Sequence, residues 1–191
     1  MVAGSPRIET ARLILRRWDV DGDLDDYAAL CADPEVIRYI GDGSTRTRVQ
    51  CAEQLRAFEQ TWDERGFGLF ALELATSAKL IGFAGLAVPG FLPEIMPAVE
   101  IGWRLARPYW RQGYATEAAH AVLAFAFYRV GLEHVVSVHV VGNEASANIM
   151  RKIGMHFERE TTHPGNNRPV RVYTIDRGAG DRGTGDHPSG T

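Results

Sequence analysis

The sequence contains few residues that could form cross-links or bind a metal. It has two cysteines, Cys31 and Cys51, which are too few for a disulfide framework and lack the CxxC spacing of a zinc site. None of the six histidines has metal-ligand spacing such as HExxH. We therefore expect no bound metal, and we expect structural roles for His120 and His139.

Long apolar runs are also missing. The N-terminal segment MVAGSPRIETARL has no apolar core like that of a signal peptide. The longest mostly apolar stretch, residues 118–130, is interrupted by His120 and Arg129 and is too short to span a bilayer. These absences predict a soluble, reduced, cytoplasmic protein without a membrane partner.

An excess of positive charge is absent as well. The chain carries 21 Lys and Arg against 24 Asp and Glu, a net charge of −3. This balance argues against bulk electrostatic binding of nucleic acid, although it leaves room for a local basic patch. We predict no nucleic-acid partner.

The length of 191 residues suggests one domain with an appendage. Five of the last 14 residues are glycine, and the others are mainly Asp, Arg, Ser, Thr and Pro. Such a segment cannot bury enough apolar surface to offset the entropy of ordering it. We predict a domain over residues 7–177 and a flexible glycine-rich tail over residues 178–191.

Apolar periodicity and capping residues predict the elements of this domain. The first helix is capped by Asp21 or Asp23 and stopped by Pro34, and three more helices cover residues 49–65, 114–130 and 144–153. Strands are predicted over residues 12–18, 67–74, 80–88, 98–105, 135–141, 157–162 and 170–176. The order β-α-α-β-β-β-α-β-α-β-β indicates an α+β domain, a mixed sheet with helices on its faces.

The sharpest functional signal is the segment VEIGWRLARPYWRQGYATEA, residues 99–118. A predicted strand runs into a turn with Gly113 and then into a helix that starts at Tyr114. Unpaired N–H groups and the positive end of the helix dipole form an anion site there, and glycine allows close approach of a pyrophosphate. Neither a Walker A loop nor a GxGxxG fingerprint is present. Taken alone, the turn is equally compatible with an ordinary strand–loop–helix connection.

A second segment, VGNEASANIMRKIGM, covers residues 141–155. Asn143 is a good helix cap, and Ser146 in the first turn is unremarkable. By itself this segment is better explained as a capped helix than as a site.

Four blocks together carry a resemblance to a known family. They are TARLILR at residues 10–16, GFAG at 82–85, PYWRQGYATEA at 108–118, and NEAS at 143–146 followed by KIGM at 152–155. In this order they resemble the GNAT superfamily of acetyl-CoA-dependent N-acetyltransferases, most closely the branch of Rim-type ribosomal-protein N-terminal acetyltransferases. The resemblance covers about residues 7–177. Many members have Gln or Arg three residues before the loop glycine, but this chain has Trp110, as the Rim-like branch commonly does.

The resemblance implies a GNAT-like, mostly antiparallel mixed sheet with helices on both faces, in which the fourth and fifth strands splay apart and acetyl-CoA enters between them. The pyrophosphate would lie on the loop and helix N-terminus, the pantetheine arm would pair with the fourth strand, and the second segment would contact the thioester end. The implied cofactor residues are Ile101, Gly102, Trp103, Arg111, Gln112, Gly113, Tyr114, Ala115, Thr116, Asn143 and Ser146.

The resemblance also implies catalytic candidates. Glu100 on the fourth strand is the first candidate for the general base, with a solvated carboxylate or an arginine partner as the alternative. Many members use a tyrosine seven residues after the asparagine as acid, but that position holds Met150, which cannot donate a proton. Ser146 is then the candidate acid, with a structural first-turn role or unassisted departure of the thiolate as alternatives.

The leading hypothesis is an N-acetyltransferase that transfers acetyl by direct attack in a ternary complex. Its acceptor would be a peptide N-terminus or a small amine, and Asp33, Glu35 and Asp42 would attract a cationic one. The loop at 89–97 and the turn at 163–169 would shape specificity, and the resemblance is also compatible with a homodimer. The alternative is a non-catalytic acyl-CoA-binding module.

Overall fold

The computed structural model describes residues 6–178. Apart from Gly178, the predicted tail lies outside these residues. Within them, eight strands form one sheet in the order β1-β2-β3-β4-β5-β6-β8-β7. The strands are β1 Ile8–Glu9, β2 Leu13–Arg16, β3 Leu69–Leu74, β4 Leu80–Ala87, β5 Glu100–Leu105, β6 His134–Val140, β7 His156–Thr162 and β8 Pro169–Asp176.

All neighbouring strands are antiparallel except β5 and β6, which run parallel. The helices are α1 Leu24–Ala32, α2 Pro34–Ile37, α3 Arg48–Arg65, α4 Tyr114–Phe125 and α5 Glu144–Lys152. A π-helical turn at Ala126–Val130 extends α4, and short 3₁₀ turns lie at Pro93–Ile95 and Arg107–Tyr109. The predicted α+β class is confirmed.

Local capping explains why α3 and α5 start where the sequence predicted. The Thr47 side chain accepts a hydrogen bond from the Gln50 N–H, and the Gln50 side chain bonds back to the Thr47 N–H, a reciprocal capping box. Gly66 ends α3 with a left-handed φ of 71°. Asn143 caps α5 by accepting from the Ser146 N–H.

The prediction at Pro34 needs one correction. Pro34 does stop α1, but it also begins α2, because Asp33 caps the new helix by accepting from the Glu35 N–H. Proline is favourable at the first helical position because its missing N–H would have no helical partner there. The two-residue strand β1 was also missed, so the predicted fourth and fifth strands are β5 and β6.

Apolar layers cover both faces of the sheet. On one face, α4 packs against Ile101 and Leu105 of β5. On the other face, α1 and α3 pack against Phe83 of β4 through an aromatic cluster with Trp18 and Tyr27. Both layers are needed to hold β5 in place, because its side chains alternate between them.

The strands β5 and β6 splay apart, as the resemblance implied. They pair at a single position, Glu100 with Val136, where the Val136 N–H donates to the Val99 carbonyl at 3.0 Å. Two side-chain bonds follow, from the Ser137 hydroxyl to the Ile101 carbonyl at 2.8 Å and from the Val138 N–H to the Glu100 carboxylate at 3.2 Å. Beyond these bonds the strands diverge and leave a wedge between them.

Candidate functional site

A cleft of about 650 Å³ extends from the diverging ends of β5 and β6. Its walls come from the end of β5, the loop into α4, the first turns of α4 and α5, and the segment around α2. Eight of the eleven predicted cofactor residues line it, namely Trp103, Arg111, Gly113, Tyr114, Ala115, Thr116, Asn143 and Ser146. Ile101, Gly102 and Gln112 are not among its lining residues.

The loop before α4 has the geometry of an anion site. Arg111 and Gly113 both adopt left-handed backbone conformations, with φ of 59° and 84°. Gly113 is the N-cap of α4 and makes no side-chain cap, so the N–H groups of the first turn have no capping acceptor. With the positive end of the helix dipole at the same place, the turn suits a phosphate group.

A pair of side chains that the sequence did not single out braces this loop. The Arg12 guanidinium donates to the Gln112 carbonyl at 2.9 Å and to the Glu117 carboxylate at 2.6 Å, and it lies 4.5 Å from the centre of the Tyr114 ring. Glu117 also accepts from the Thr10 hydroxyl at 2.7 Å. Burial opposes ionisation of Glu117, but these hydrogen bonds outweigh it and lower its pKa.

The predicted asparagine and serine meet at the N-terminus of α5. The Asn143 side-chain oxygen accepts from the Ser146 N–H at 3.3 Å, and both residues line the cleft. The Tyr39 hydroxyl donates to the Gly142 carbonyl at 3.1 Å, which ties the segment after α2 to the start of α5. Met150 is buried in the core beneath this helix.

Glu100 lies where the wedge between β5 and β6 begins, and it is not among the residues that line the cleft. Its carboxylate accepts a hydrogen bond from the Val138 N–H of β6 at 3.2 Å. Burial raises the pKa of Glu100 to about 7, and the bond from Val138 acts in the opposite direction. A carboxylate with a pKa near neutrality can accept a proton and release it again.

The backbone of β5 is only partly free to pair with a ligand. Every residue from Glu100 to Leu105 faces a partner in β4. On the other edge, the Ile101 carbonyl already accepts from Ser137. Because peptide groups alternate between the two edges of a strand, the peptide groups of Trp103 face the wedge, and those of Gly102 face Gly85.

The structure also shows which face of β5 carries the Glu100 side chain. The Arg104 guanidinium lies 4.9 Å from the centre of the Phe83 ring and 4.0 Å from the Cys31 sulfur in α1. Strand alternation therefore directs Glu100, Gly102 and Arg104 toward the α1 face, while Ile101 packs toward α4.

The acidic residues that were predicted to attract a cation are largely engaged elsewhere. Asp33 caps α2 and lies 3.1 Å from Arg107. Asp42 is exposed and accepts from the Ser44 N–H, which lowers its pKa. Of the three predicted residues, Glu35 alone lines the cleft, 3.9 Å from Arg38.

The turn at 163–169 supports the cleft from outside. The Asn166 side chain donates to the Gly41 carbonyl at 2.7 Å, and Arg168 donates to the Arg38 carbonyl at 3.2 Å. The His163 ring stacks on Phe91 of the loop at 89–97, with centroids 5.1 Å apart. The turn at 163–169 therefore holds the segment after α2, and neither predicted specificity loop lines the cleft.

Two other features are absent from residues 6–178. No group of three or more His, Cys, Asp or Glu side chains is placed to hold a metal ion there. None of the helices in the same range is both long and apolar enough to cross a bilayer.

Comparison with known proteins agrees with this geometry. Residues 12–156 match the family model described as an acetyltransferase (GNAT) domain. The chain is 30% identical over 155 residues to the uncharacterized N-acetyltransferase YoaA of Bacillus subtilis, a match that covers 81% of this chain and 84% of that one.

Solved structures share the fold. An acetyltransferase from Agrobacterium tumefaciens superposes with a TM-score of 0.77 at 25% identity, covering 93% of this chain and 98% of that one. RimL, a ribosomal L7/L12 α-N-protein acetyltransferase solved with coenzyme A, superposes with a TM-score of 0.74 at 15% identity, covering 91% and 99%.

Proposed function

This chain belongs to the acetyltransferase (GNAT) family, whose members use acetyl-CoA, and we propose that it transfers the acetyl group to a primary amine by direct attack within a ternary complex. The observation that carries the proposal is the position of Glu100. Its carboxylate, with a pKa of about 7, lies where β5 and β6 make their single pairing, at the start of the wedge between them.

The eight predicted residues in the cleft support the placement of acetyl-CoA. Its pyrophosphate would accept hydrogen bonds from the backbone N–H groups of residues 111–116, with the Arg111 side chain adding a charged contact. The pantetheine arm would run along β5, chiefly beside the Trp103 peptide, because the Ile101 carbonyl already has a partner. Asn143 and Ser146 would lie beside the thioester.

Glu100 would act as the general base. An ammonium ion has no lone pair, so the acceptor must lose a proton, directly or through water, before its nitrogen bonds to the acetyl carbon. The carbon–sulfur bond then breaks, and the electron pair leaves with the CoA sulfur. Backbone N–H groups on the wedge side of β5 would stabilise the oxyanion of the tetrahedral intermediate.

Ser146 would protonate the departing thiolate and regain a proton from the attacking nitrogen, which loses its second proton as the amide forms. Its half-buried hydroxyl lines the cleft in the first turn of α5, whereas Met150 lies in the core and carries no transferable proton. A thiol with a pKa of about 8.5 can also leave unassisted, so Ser146 contributes less to the rate than Glu100.

The Rim-type branch and the acceptor belong to the proposal as well. RimL acts on a protein α-amine, but at 15% identity its likeness extends to the fold only. The motif resemblance therefore leaves a peptide N-terminus and a small amine as acceptor classes. Cytoplasmic location and a homodimer stay predictions.

A thiol-release screen with acetyl-CoA, small amines and short peptides tests the proposal. We expect CoA release with at least one amine class, together with an acetylated product of the corresponding mass. Binding of acetyl-CoA without release of CoA to any amine would overturn the transfer and favour the acyl-CoA-binding module.

A further inference from the structure

Arg104 lies at the wall of the cleft and forms no ion pair with any residue between 6 and 178. Its side chain contacts the Phe83 ring and the Cys31 sulfur, and its Nε is buried without a hydrogen-bond partner. Four other arginines between residues 6 and 178 are half-buried, and each donates to a carboxylate or a carbonyl, namely Arg16, Arg17, Arg168 and Arg171. Arg104 alone among the five donates to no oxygen.

The buried Nε of Arg104 has no hydrogen-bond partner, and leaving such a donor unsatisfied costs free energy. Removing a guanidinium from water costs free energy that an anionic partner normally returns. The neighbouring Arg107 shows the usual solution, since it pairs with Asp33 at 3.1 Å. No carboxylate lies within 4.0 Å of Arg104 in the part of the chain that the structure describes.

The position of Arg104 relative to Glu100 suggests what the Arg104 charge could bind. Both side chains extend from the same face of β5, four residues apart, and thus about 13 Å between their Cα atoms. Gly102 lies between them, and a Cβ added there would meet nothing within 4 Å. The strand therefore presents a carboxylate and a guanidinium on either side of an open space.

We propose that Arg104 binds a carboxylate of the acceptor, so that the acceptor is a small molecule carrying both an amine and a carboxylate, as amino acids do. This inference rests on the proposed function, in which Glu100 takes the proton from the amine. A planar guanidinium can bind a carboxylate through two parallel hydrogen bonds, which fixes its orientation.

Matched pairs of acceptors test the inference. Free amino acids are compared with their carboxamides in the thiol-release assay, using glycine, alanine, methionine, phenylalanine and 4-aminobutyrate. We expect kcat/KM to favour the acid of at least one pair by about 10- to 100-fold, the range for a hydrogen bond to a charged group. Intrinsic reactivity would favour the carboxamide, because its ammonium group is more acidic.

Substitution then assigns the preference to one side chain. Arg104→Met keeps the apolar stem on Phe83 and should abolish the preference, lowering kcat/KM for the acid to or below that for the carboxamide. Arg104→Lys should retain part of it. Arg107→Met is the matched control and should keep the full preference. An equal rate for acid and amide in the wild type, or an unchanged preference in Arg104→Met, would overturn the inference while leaving acetyl transfer intact.

A binding measurement separates this result from failure of the proposed function. Titration of the CoA-saturated protein with each acid and its amide measures acceptor binding in the absence of turnover. Acid binding that is lost in Arg104→Met would support the inference even if no CoA were released from acetyl-CoA. Equal affinity of the wild-type protein for the acid and its carboxamide would contradict the inference.

Discussion

The Arg12 Nε atom lies 2.6 Å from a carboxylate oxygen of Glu117, a contact that joins residues 105 positions apart in the chain. Glu117 is in the first turn of α4, beside the N–H groups proposed to hold the pyrophosphate. A bare carboxylate there would repel phosphate, but Arg12 neutralises it and also holds the Gln112 carbonyl. The ion pair therefore fixes the conformation of the loop and neutralises the charge of Glu117.

Loss of this contact should weaken CoA binding. Glu117→Gln keeps the size of the side chain and removes the ion pair, so we expect an approximately tenfold weaker CoA affinity, corresponding to a loss of about 1.4 kcal/mol. Because folding lowers the Glu117 pKa from its ordinary value of 4.5, its stabilisation is present above that value and is lost as the pH falls through the folded pKa. Calorimetric titration with CoA and thermal melts at several pH values measure both effects.

The exposed pair Arg7–Glu9, at 3.0 Å, supplies the control for this variant. Glu9→Gln removes an ion pair of similar length outside the cleft, and it should leave CoA affinity unchanged. Equal CoA affinity in wild type and Glu117→Gln would show that the contact does not shape the loop.

The pKa of Glu100 predicts the pH dependence of catalysis. With a folded pKa of about 7, the base is mostly protonated at pH 6 and mostly ionised at pH 8, so kcat/KM should rise with a midpoint near pH 7. Glu100→Gln should lose this rise and about 10²- to 10⁴-fold in turnover, with CoA affinity nearly intact. A later rise from ionisation of the acceptor amine should remain in both proteins.

The raised pKa of Glu100 also affects the free energy of unfolding. Its pH dependence has the opposite sign to that expected from Glu117. Folding raises the Glu100 pKa from 4.5 to about 7, so the native state binds more protons than the unfolded state between these values. The free energy of unfolding should therefore fall as pH rises through this range. Chemical denaturation should show a smaller fall for Glu100→Gln, and an identical slope would contradict burial of the carboxyl.

Gly113 should be required for the conformation of the cofactor loop. Its φ of 84° is left-handed, and an added Cβ would lie 3.3 Å from the Arg12 guanidinium. Alanine in this conformation costs about 1–2 kcal/mol, which the loop can relieve by rotating its N–H groups away from the phosphate. We expect Gly113→Ala to reduce CoA affinity by at least about tenfold, measured by titration.

Gly131 is the matched control for that strain. It has a φ of 82° and open space around an added Cβ, and it lies at the opposite end of the α4 segment. Gly131→Ala should lower the melting temperature by a comparable amount and leave CoA affinity unchanged. Equal loss of affinity in both variants would mean that global destabilisation, not the loop, controls binding.

Local signals account for what the sequence predicted well. The capping box at Thr47 and the cap at Asn143 act within a few residues, so the starts of α3 and α5 could be placed to within one residue. The wedge between β5 and β6 followed from motif resemblance, since no residue in either strand encodes the splay by itself. The short strand β1 was missed because it exists only through pairing with Leu15 and Ile14.

The remaining features of the site arise from contacts between distant segments. Arg12 and Glu117 both stood in recognised motifs, yet their role depends on a contact across 105 positions. Strand alternation places Glu100 and Gly102 on one face of β5, but only the packing of α1 shows which helices cover that face. Arg104 carried no sequence signal at all, because an arginine without a partner is recognisable only when its surroundings are known.

Ser146 should affect the rate and not the binding of the cofactor. The Asn143 cap uses the Ser146 backbone N–H, so Ser146→Ala keeps the cap and removes only the hydroxyl. We expect turnover to fall about tenfold or less, because the thiolate can leave unassisted, with CoA affinity unchanged. Ser137→Ala provides the contrast: its hydroxyl donates to the Ile101 carbonyl at 2.8 Å in the interior, so its loss should lower stability by about 1 kcal/mol. Steady-state rates, CoA titration and thermal melts on both variants separate the two roles, and wild-type turnover in Ser146→Ala would remove the serine from the mechanism.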